Sequence, residues 1–166
     1  RAAYEALTDS QKNLVENYND LLNAESRYEA LLKTEKLPFT DVEKHWGIEA
    51  IMYVFDNNIM NGTSDTTFEP DTLLSRGMLI TTLYRLAGSP EVTAKNPFPD
   101  VKADEWYTDA VIWAYENGIV NGYDDGNLGP NDNITREQMA VMLMNYAKFK
   151  GIDISAKNDL SQFADA

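Results

Sequence analysis

Phe39-Thr40-Asp41-Val42 opens a stretch that this chain contains twice. In its first copy, Trp46, Asn61-Gly62, Phe68-Glu69-Pro70 and Ser75-Arg76 follow in that order. The second copy reads Phe98-Pro99-Asp100-Val101, then Trp106, Asn121-Gly122, Leu128-Gly129-Pro130 and Thr135-Arg136. From Trp46 to Leu86 the copies align without a gap at an offset of 60 residues. A tandem repeat of this length predicts an array of one supersecondary unit, in which neighbouring copies complete a core.

Each copy has the pattern of two helices joined by a polar loop. An apolar face of helical period predicts the first helix, beginning with Trp46 in the first copy and Trp106 in the second. The loops that follow are rich in Gly, Asp and Asn. The second helices start at Ser75 and Thr135, both preferred N-cap residues, and their aliphatic and Met side chains are predicted to be core. The predicted fold class is all-α, built from tandem helix–loop–helix motifs.

The sequence divides into four segments. Residues 1–37 have a helical pattern and are interpreted as the end of an upstream helical module; copy 1 with its linker covers 38–97, copy 2 with its linker covers 98–162, and 163–166 begin a third copy. The chain starts in helix-like sequence without an initiator Met or signal peptide, so we expect a piece of a longer protein. An incomplete third copy leaves an apolar flank. We expect either that helices of 1–37 cover it or that two molecules pair through it.

Composition excludes several classes of function. The chain has 14 Lys and Arg against 27 Asp and Glu, a formal net charge of −13. It therefore lacks the basic face that a nucleic acid or an anionic membrane surface requires. No apolar run is long enough to cross a bilayer, so we predict no membrane insertion. The absence of cysteine excludes disulfides, thiolate metal sites and a cysteine nucleophile.

The ordered motifs of both copies resemble the S-layer homology (SLH) motif. The resemblance covers residues 39–149 and the short segment 163–166. It implies three helix–loop–helix motifs around a pseudo-threefold axis, and non-covalent attachment of exported proteins to secondary cell-wall polysaccharide of Gram-positive bacteria, often carrying pyruvyl ketals. The Thr-Arg-Ala-Glu signature of the family is Ser-Arg-Gly-Met at 75–78 and Thr-Arg-Glu-Gln at 135–138. Residues 3–25 are similar to small helical modules that stand beside such motifs.

Arg136 and Arg76 are the strongest candidates for ligand binding. Each stands in the first turn of a second helix, where a cation opposes the helix dipole. An anion bound there would meet free N–H groups, the positive helix end and a guanidinium, and a ketal carboxylate would suit the site. The alternative is that each arginine forms a salt bridge with Asp41, Asp100 or a loop aspartate and only holds the repeat together. The complete Thr-Arg-Glu-Gln capping box predicts the better-formed site around Arg136.

The remaining site candidates each carry a structural alternative. Ser75 and Thr135 are N-caps whose hydroxyls can accept or donate one further bond. Trp46 and Trp106 are interpreted as core residues, with stacking on a sugar ring as the alternative. The other candidates are Asp41 and Asp100, as caps of the first helix or ties to the next motif, and Gly62 and Gly122, as positive-φ turns or as openings for a saccharide.

No metal site, cofactor or catalytic centre is predicted. The loop from Asp124 to Asn133 offers oxygen ligands, but Thr135 stands where an EF-hand needs Glu. His45 is the single histidine, and no two carboxylates have the spacing of a glycosidase pair. The sequence therefore predicts a non-catalytic module of the extracellular cell wall or S-layer that binds secondary cell-wall polysaccharide. The alternative is a protein–protein module that assembles a surface lattice.

Overall fold

The computed structural model describes residues 2–12, 15, 17–34 and 37–155. Within those residues the secondary structure is helical, without strands, and an isolated antiparallel bridge joins Ser75 and Asn133. The all-α prediction is confirmed for this part of the chain. The helices are α1 (Ala2–Glu5), α2 (Asp9–Lys12), α3 (Tyr18–Thr34), α4 (Ile48–Asp56), α5 (Arg76–Leu86), α6 (Thr108–Glu116) and α7 (Arg136–Phe149).

The chain forms two compact units that divide copy 1 between them. Unit 1 is Arg1–Pro70 and holds α1 to α4; unit 2 is Asp71–Ala166 and holds α5 to α7. In unit 1, α3 contacts α4. A small core forms around Phe39, Val42 and Ile51, and the ring of Phe39 meets that of Phe55 edge-on with centroids 5.0 Å apart. The first helix and loop of copy 1 thus have their own small core.

Unit 2 is built by joining the second helix of copy 1 to copy 2. Helix α5 packs against α6, and their shared core is the larger of the two. From α5 it receives Ile80 and Leu83, which are 0% and 2% exposed. From copy 2 it receives Val111 and Leu128, both 0% exposed. The sharing of a core between neighbouring copies, which the repeat predicts, is therefore observed in this unit.

Helix α7 departs from the prediction that its aliphatic and Met residues are core. Met142 is buried, but Val141, Leu143 and Met144 are 52%, 45% and 42% exposed. Leu143 is the equivalent of the buried Leu83 in the 60-residue alignment. The periodicity of the two helices is alike, but α5 has copy 2 to pack against. Among the described residues, no following copy covers the matching face of α7.

Candidate functional site

The first turn of α5 is inserted into the loop of copy 2. The side chain of Arg76 is only 4% exposed. Its Nε donates a hydrogen bond to the carbonyl oxygen of Leu128 at 2.9 Å, and a terminal nitrogen donates to that of Asn121 at 3.4 Å. The guanidinium carbon lies 4.6 Å from the centre of the Tyr123 ring, a cation–π contact. Arg76 thus joins the repeats through main-chain carbonyls instead of a salt bridge, and its guanidinium is not open to a ligand.

The backbone of this turn is engaged as well. The N–H of Arg76 donates to the carbonyl of Asp132 at 2.9 Å, and the N–H of Gly77 donates to the carbonyl of Pro130 at 2.8 Å. A Cβ on Gly77 would lie 2.9 Å from that Pro130 oxygen, closer than real Cβ contacts allow. The missing side chain of Gly77 therefore permits the close approach of helix and loop. The amides that could bind an anion at this helix end are already used.

The equivalent turn of α7 is open. Thr135 and Gln138 form the predicted capping box, and Ser75 caps α5 as predicted. Arg136 is exposed, and its guanidinium makes no hydrogen bond or ion pair within the part of the chain that the structure describes. Over the same residues, the N–H groups of Arg136 and Glu137 have no acceptor. An unused cation and two unused amides therefore lie together at the positive end of a helix.

Asp41 and Asp100 tie the loop of their own copy back to its start. Each carboxylate accepts two successive backbone N–H groups of that loop. The donors and distances are Phe68 at 3.0 Å and Glu69 at 2.7 Å for Asp41, and Leu128 at 2.9 Å and Gly129 at 2.7 Å for Asp100. Both roles expected from the sequence are wrong, because α4 and α6 have no side-chain cap and the bonds serve the same copy. These aspartates shape the loops, and in copy 2 that loop receives Arg76.

Acid should release the loop of copy 1. The N–H groups of Phe68 and then Glu69 hold the pKa of Asp41 below its usual value of 3.8. A lowered pKa stabilises the loop above pH 3.8, and this contribution is lost as the pH falls through the folded-state value. We expect the amide shifts of Phe68 and Glu69 to titrate with a midpoint below 3.8, and Asp41→Asn to abolish that titration. NMR measures both, and a midpoint at or above 3.8 would contradict the assignment.

Gly62 and Gly122 do not adopt the positive φ that the sequence suggested, because neither is among the residues in that conformation. Each is required for space. A Cβ on Gly122 would lie 2.7 Å from the carbonyl oxygen of Asn127 and 2.7 Å from the ring of Phe98. A Cβ on Gly62 would collide with the carbonyl of Thr67 and the corresponding ring of Phe39. The two glycines let the loop fold over the first phenylalanine of its copy.

The two tryptophans are exposed, and the core interpretation of them is wrong. Trp46 is 92% exposed and Trp106 is 54% exposed. Both precede the first helix, since α4 begins at Ile48 and α6 at Thr108. The helical period therefore does not extend to them. The ring of Trp106 meets that of the buried Tyr107 edge-on at 5.0 Å, so one of its faces is supported. The exposed indoles leave sugar stacking as the remaining interpretation.

Tyr123 is the residue that sequence reasoning missed. Its ring lies against Arg76, and its hydroxyl bonds the side chains of Asp132 and Gln138. Burial and the neighbouring Asp132 carboxylate raise the pKa of Tyr123, while the Arg76 charge opposes the rise. Tyr123 therefore connects the loop of copy 2 to the first turns of α5 and α7. The available signal was weak, because the equivalent residue of copy 1 is Thr63.

The described part of the chain gives no sign of a metal centre or a membrane segment. Among those residues, no group of three or more His, Asp or Glu is placed to hold a metal ion. None of the helices there has the length and apolar character that crossing a bilayer would require. The polar features that stand out are therefore the buried Arg76 seam and the exposed first turn of α7.

Comparison with protein families agrees with the repeat. The S-layer homology domain matches residues 38–77 and 97–140, which together make up half of the chain. The chain belongs to the S-layer homology domain family. Its two SLH motifs contain the residues that build the Arg76 seam and the first turn of α7. SLH domains occur in surface proteins, where they anchor the protein to the cell surface, and a cell-wall or extracellular location is consistent with this membership.

Similar proteins include surface-layer proteins and secreted-type enzymes. The chain is 34% identical over 118 residues to the Surface-layer 125 kDa protein of Lysinibacillus sphaericus, and 32% over 108 residues to the S-layer protein sap of Bacillus anthracis. It is 33% identical over 135 residues to an Endoglucanase of Bacillus sp. (strain KSM-635). These matches cover 71%, 64% and 81% of the chain but only 10%, 13% and 14% of the relatives. The SLH domain is a non-catalytic module, and such a match implies no catalytic activity here.

Proposed function

We propose that this chain anchors an exported protein to the Gram-positive cell wall by binding an anionic secondary cell-wall polysaccharide that carries pyruvyl ketals. The observation that carries the proposal is the exposed first turn of α7. Arg136 offers an unused guanidinium, and Arg136 and Glu137 offer unused N–H groups, at the positive end of the helix. A carboxylate is planar and accepts two parallel N–H bonds, so it matches this set of donors.

The neutral part of the sugar needs an apolar surface, and the exposed indoles supply one. Trp106 presents a supported ring to solvent, and Trp46 presents nearly the whole of its side chain. Aromatic faces of this kind stack on the apolar face of a pyranose. Thr135, Ser75, Gly122, Gly62, Asp100 and Asp41 then act by shaping the helix ends and loops around the site.

Arg76 enters the proposal as a positioning residue. Its guanidinium is buried under Tyr123, so the proposed contact with the glycan carboxylate falls to Arg136 alone. The α5 seam is also the junction that a pseudo-threefold array of SLH motifs would repeat. The net charge of −13 repels a polyanion at long range, so the affinity rests on short-range contacts and should survive moderate salt.

The proposal is tested with purified sacculi. The 166-residue chain is incubated with sacculi before and after the secondary polysaccharide has been stripped from them, and bound protein is measured after sedimentation. We expect binding to be lost on stripping. Binding that survives stripping would overturn the proposal and favour peptidoglycan or a surface protein as the partner, which is the lattice-assembly alternative.

A further inference from the structure

Unit 2 contains a junction between repeats that can be compared residue by residue with the rest of the chain. On one side lies α5, with buried Arg76, Ile80 and Leu83. On the other side lies copy 2, with Ala110 only 1% exposed and Trp113 only 4% exposed. Trp113 meets Tyr84 of α5 with ring centroids 5.5 Å apart. Two faces therefore make this junction: a donor face on a second helix and an acceptor face on a first helix and its loop.

Helix α7 carries a donor face that no repeat covers in the described part of the chain. The equivalents of Arg76, Ile80, Leu83 and Tyr84 are Arg136, Ala140, Leu143 and Met144, and all four of these are exposed. The residues remain a cation followed by a stripe of apolar side chains at helical spacing. They make up the α7 donor face.

Copy 1 carries an acceptor face that is correspondingly open. Ala50 is exposed and Tyr53 is 63% exposed, whereas their equivalents in copy 2 are the buried Ala110 and Trp113. Val54 and Phe68 are half-buried, whereas Ala114 and Leu128 are fully buried. Helix α3 contacts α4 but leaves these residues accessible. The copy 1 acceptor face consists of Ala50, Tyr53, Val54 and Phe68.

We propose that the α7 donor face of one molecule docks on the copy 1 acceptor face of a second copy of this chain, and so repeats the α5 junction between molecules. The changes in side-chain size offset one another. The donor replaces Ile80 by the smaller Ala140, and the acceptor replaces Ala114 and Leu128 by the larger Val54 and Phe68. Total volume is the property that apolar packing conserves most strongly.

The intermolecular junction is weaker than its intramolecular counterpart. Glu137 stands where Gly77 lies, and a Cβ on Gly77 would meet the Pro130 carbonyl at 2.9 Å. The loop of the second copy must therefore sit slightly farther from α7. Thr63 replaces Tyr123, so the cation–π contact is also lost. The association should be reversible and dependent on protein concentration.

Donor and acceptor are different surfaces, so the contact is heterologous. Such contacts close into a ring or extend into a chain of molecules. The inference does not rest on the proposed function, because it concerns apolar faces and is tested without glycan. It has one consequence for that function. Docking would cover Arg136, so a wall glycan bound at Arg136 should lower the associated fraction.

Sedimentation equilibrium of the 166-residue chain over a concentration series tests the inference. We expect the weight-average mass to rise above that of the monomer. Leu143→Glu on the donor face and Ala50→Arg on the acceptor face should each abolish the rise. An equimolar mixture of the two variants should associate again, because one supplies an intact acceptor and the other an intact donor. Ile152→Glu, at an apolar position that is 58% exposed and outside both faces, is the matched control and should behave like the parent chain.

Two results would overturn the inference. A parent chain that stays monomeric throughout the series would show that the open faces do not pair. Association that persists in either Leu143→Glu or Ala50→Arg, or a mixture that fails to associate, would show that pairing uses another surface. Both substituted positions are exposed, so far-ultraviolet circular dichroism should match that of the parent chain.

Discussion

Arg76→Ala should destabilise unit 2 by about 3 kcal/mol. The substitution removes two hydrogen bonds to main-chain carbonyls and the cation–π contact with Tyr123. The carbonyl of Leu128 would lose its donor in a region where that residue is fully buried. Equilibrium unfolding in urea measures the loss. Trp113 is the buried one of the three tryptophans, so its fluorescence reports on unit 2.

The repeat supplies the matched control for this prediction. Arg136→Ala makes the same chemical change at the equivalent position, but the side chain there is exposed and unbonded in the described part of the chain. We expect its free energy of unfolding to stay within about 0.5 kcal/mol of the parent value. Equal losses in the two variants would contradict the assignment of a buried joint to Arg76 and an open site to Arg136.

Arg136→Ala should weaken binding to purified secondary cell-wall polysaccharide by about tenfold to a hundredfold. The guanidinium is the one charged donor in the proposed site, and the two backbone N–H groups that remain after the change carry no full charge. Isothermal titration calorimetry measures the affinity. Arg136→Lys keeps the charge but loses the planar pair of donors, so it should fall between the parent chain and the alanine variant.

Stability separates this loss of binding from unfolding. The Arg136→Ala protein should melt with the parent chain, while Arg76→Ala should melt lower. An unchanged affinity in Arg136→Ala would remove Arg136 from the site. Attention would then pass to the exposed Trp46 and Trp106 as the main determinants of binding.

The features predicted well from the sequence are those that depend on neighbours in the chain. The N-cap of Ser75 and the capping box of Thr135 and Gln138 are bonds between residues three positions apart. The helical pattern of each copy is local in the same way. The roles of Asp41 and Asp100 were wrong because their partners lie 27 to 29 positions away, across a loop whose path no local pattern specifies.

The features that were missed depend on contacts between copies. Gly77 reads in the sequence as a weak helix start, but it is the residue that lets α5 approach the carbonyl of Pro130. Leu83 and Leu143 have the same residue type in the same register, yet one is buried and the other is exposed. The difference lies in what each helix packs against. Similarly, the helical periodicity that placed Trp46 in a core extended two residues past the observed start of α4.

The most direct test of the account is the affinity of the parent chain for purified polysaccharide before and after acid removal of its pyruvyl ketals. The account assigns the decisive contact to a ketal carboxylate at Arg136. It therefore predicts a loss of affinity on ketal removal that matches the loss caused by Arg136→Ala, with no further loss when the two changes are combined. Equal affinity for the intact and ketal-free polysaccharide would contradict it.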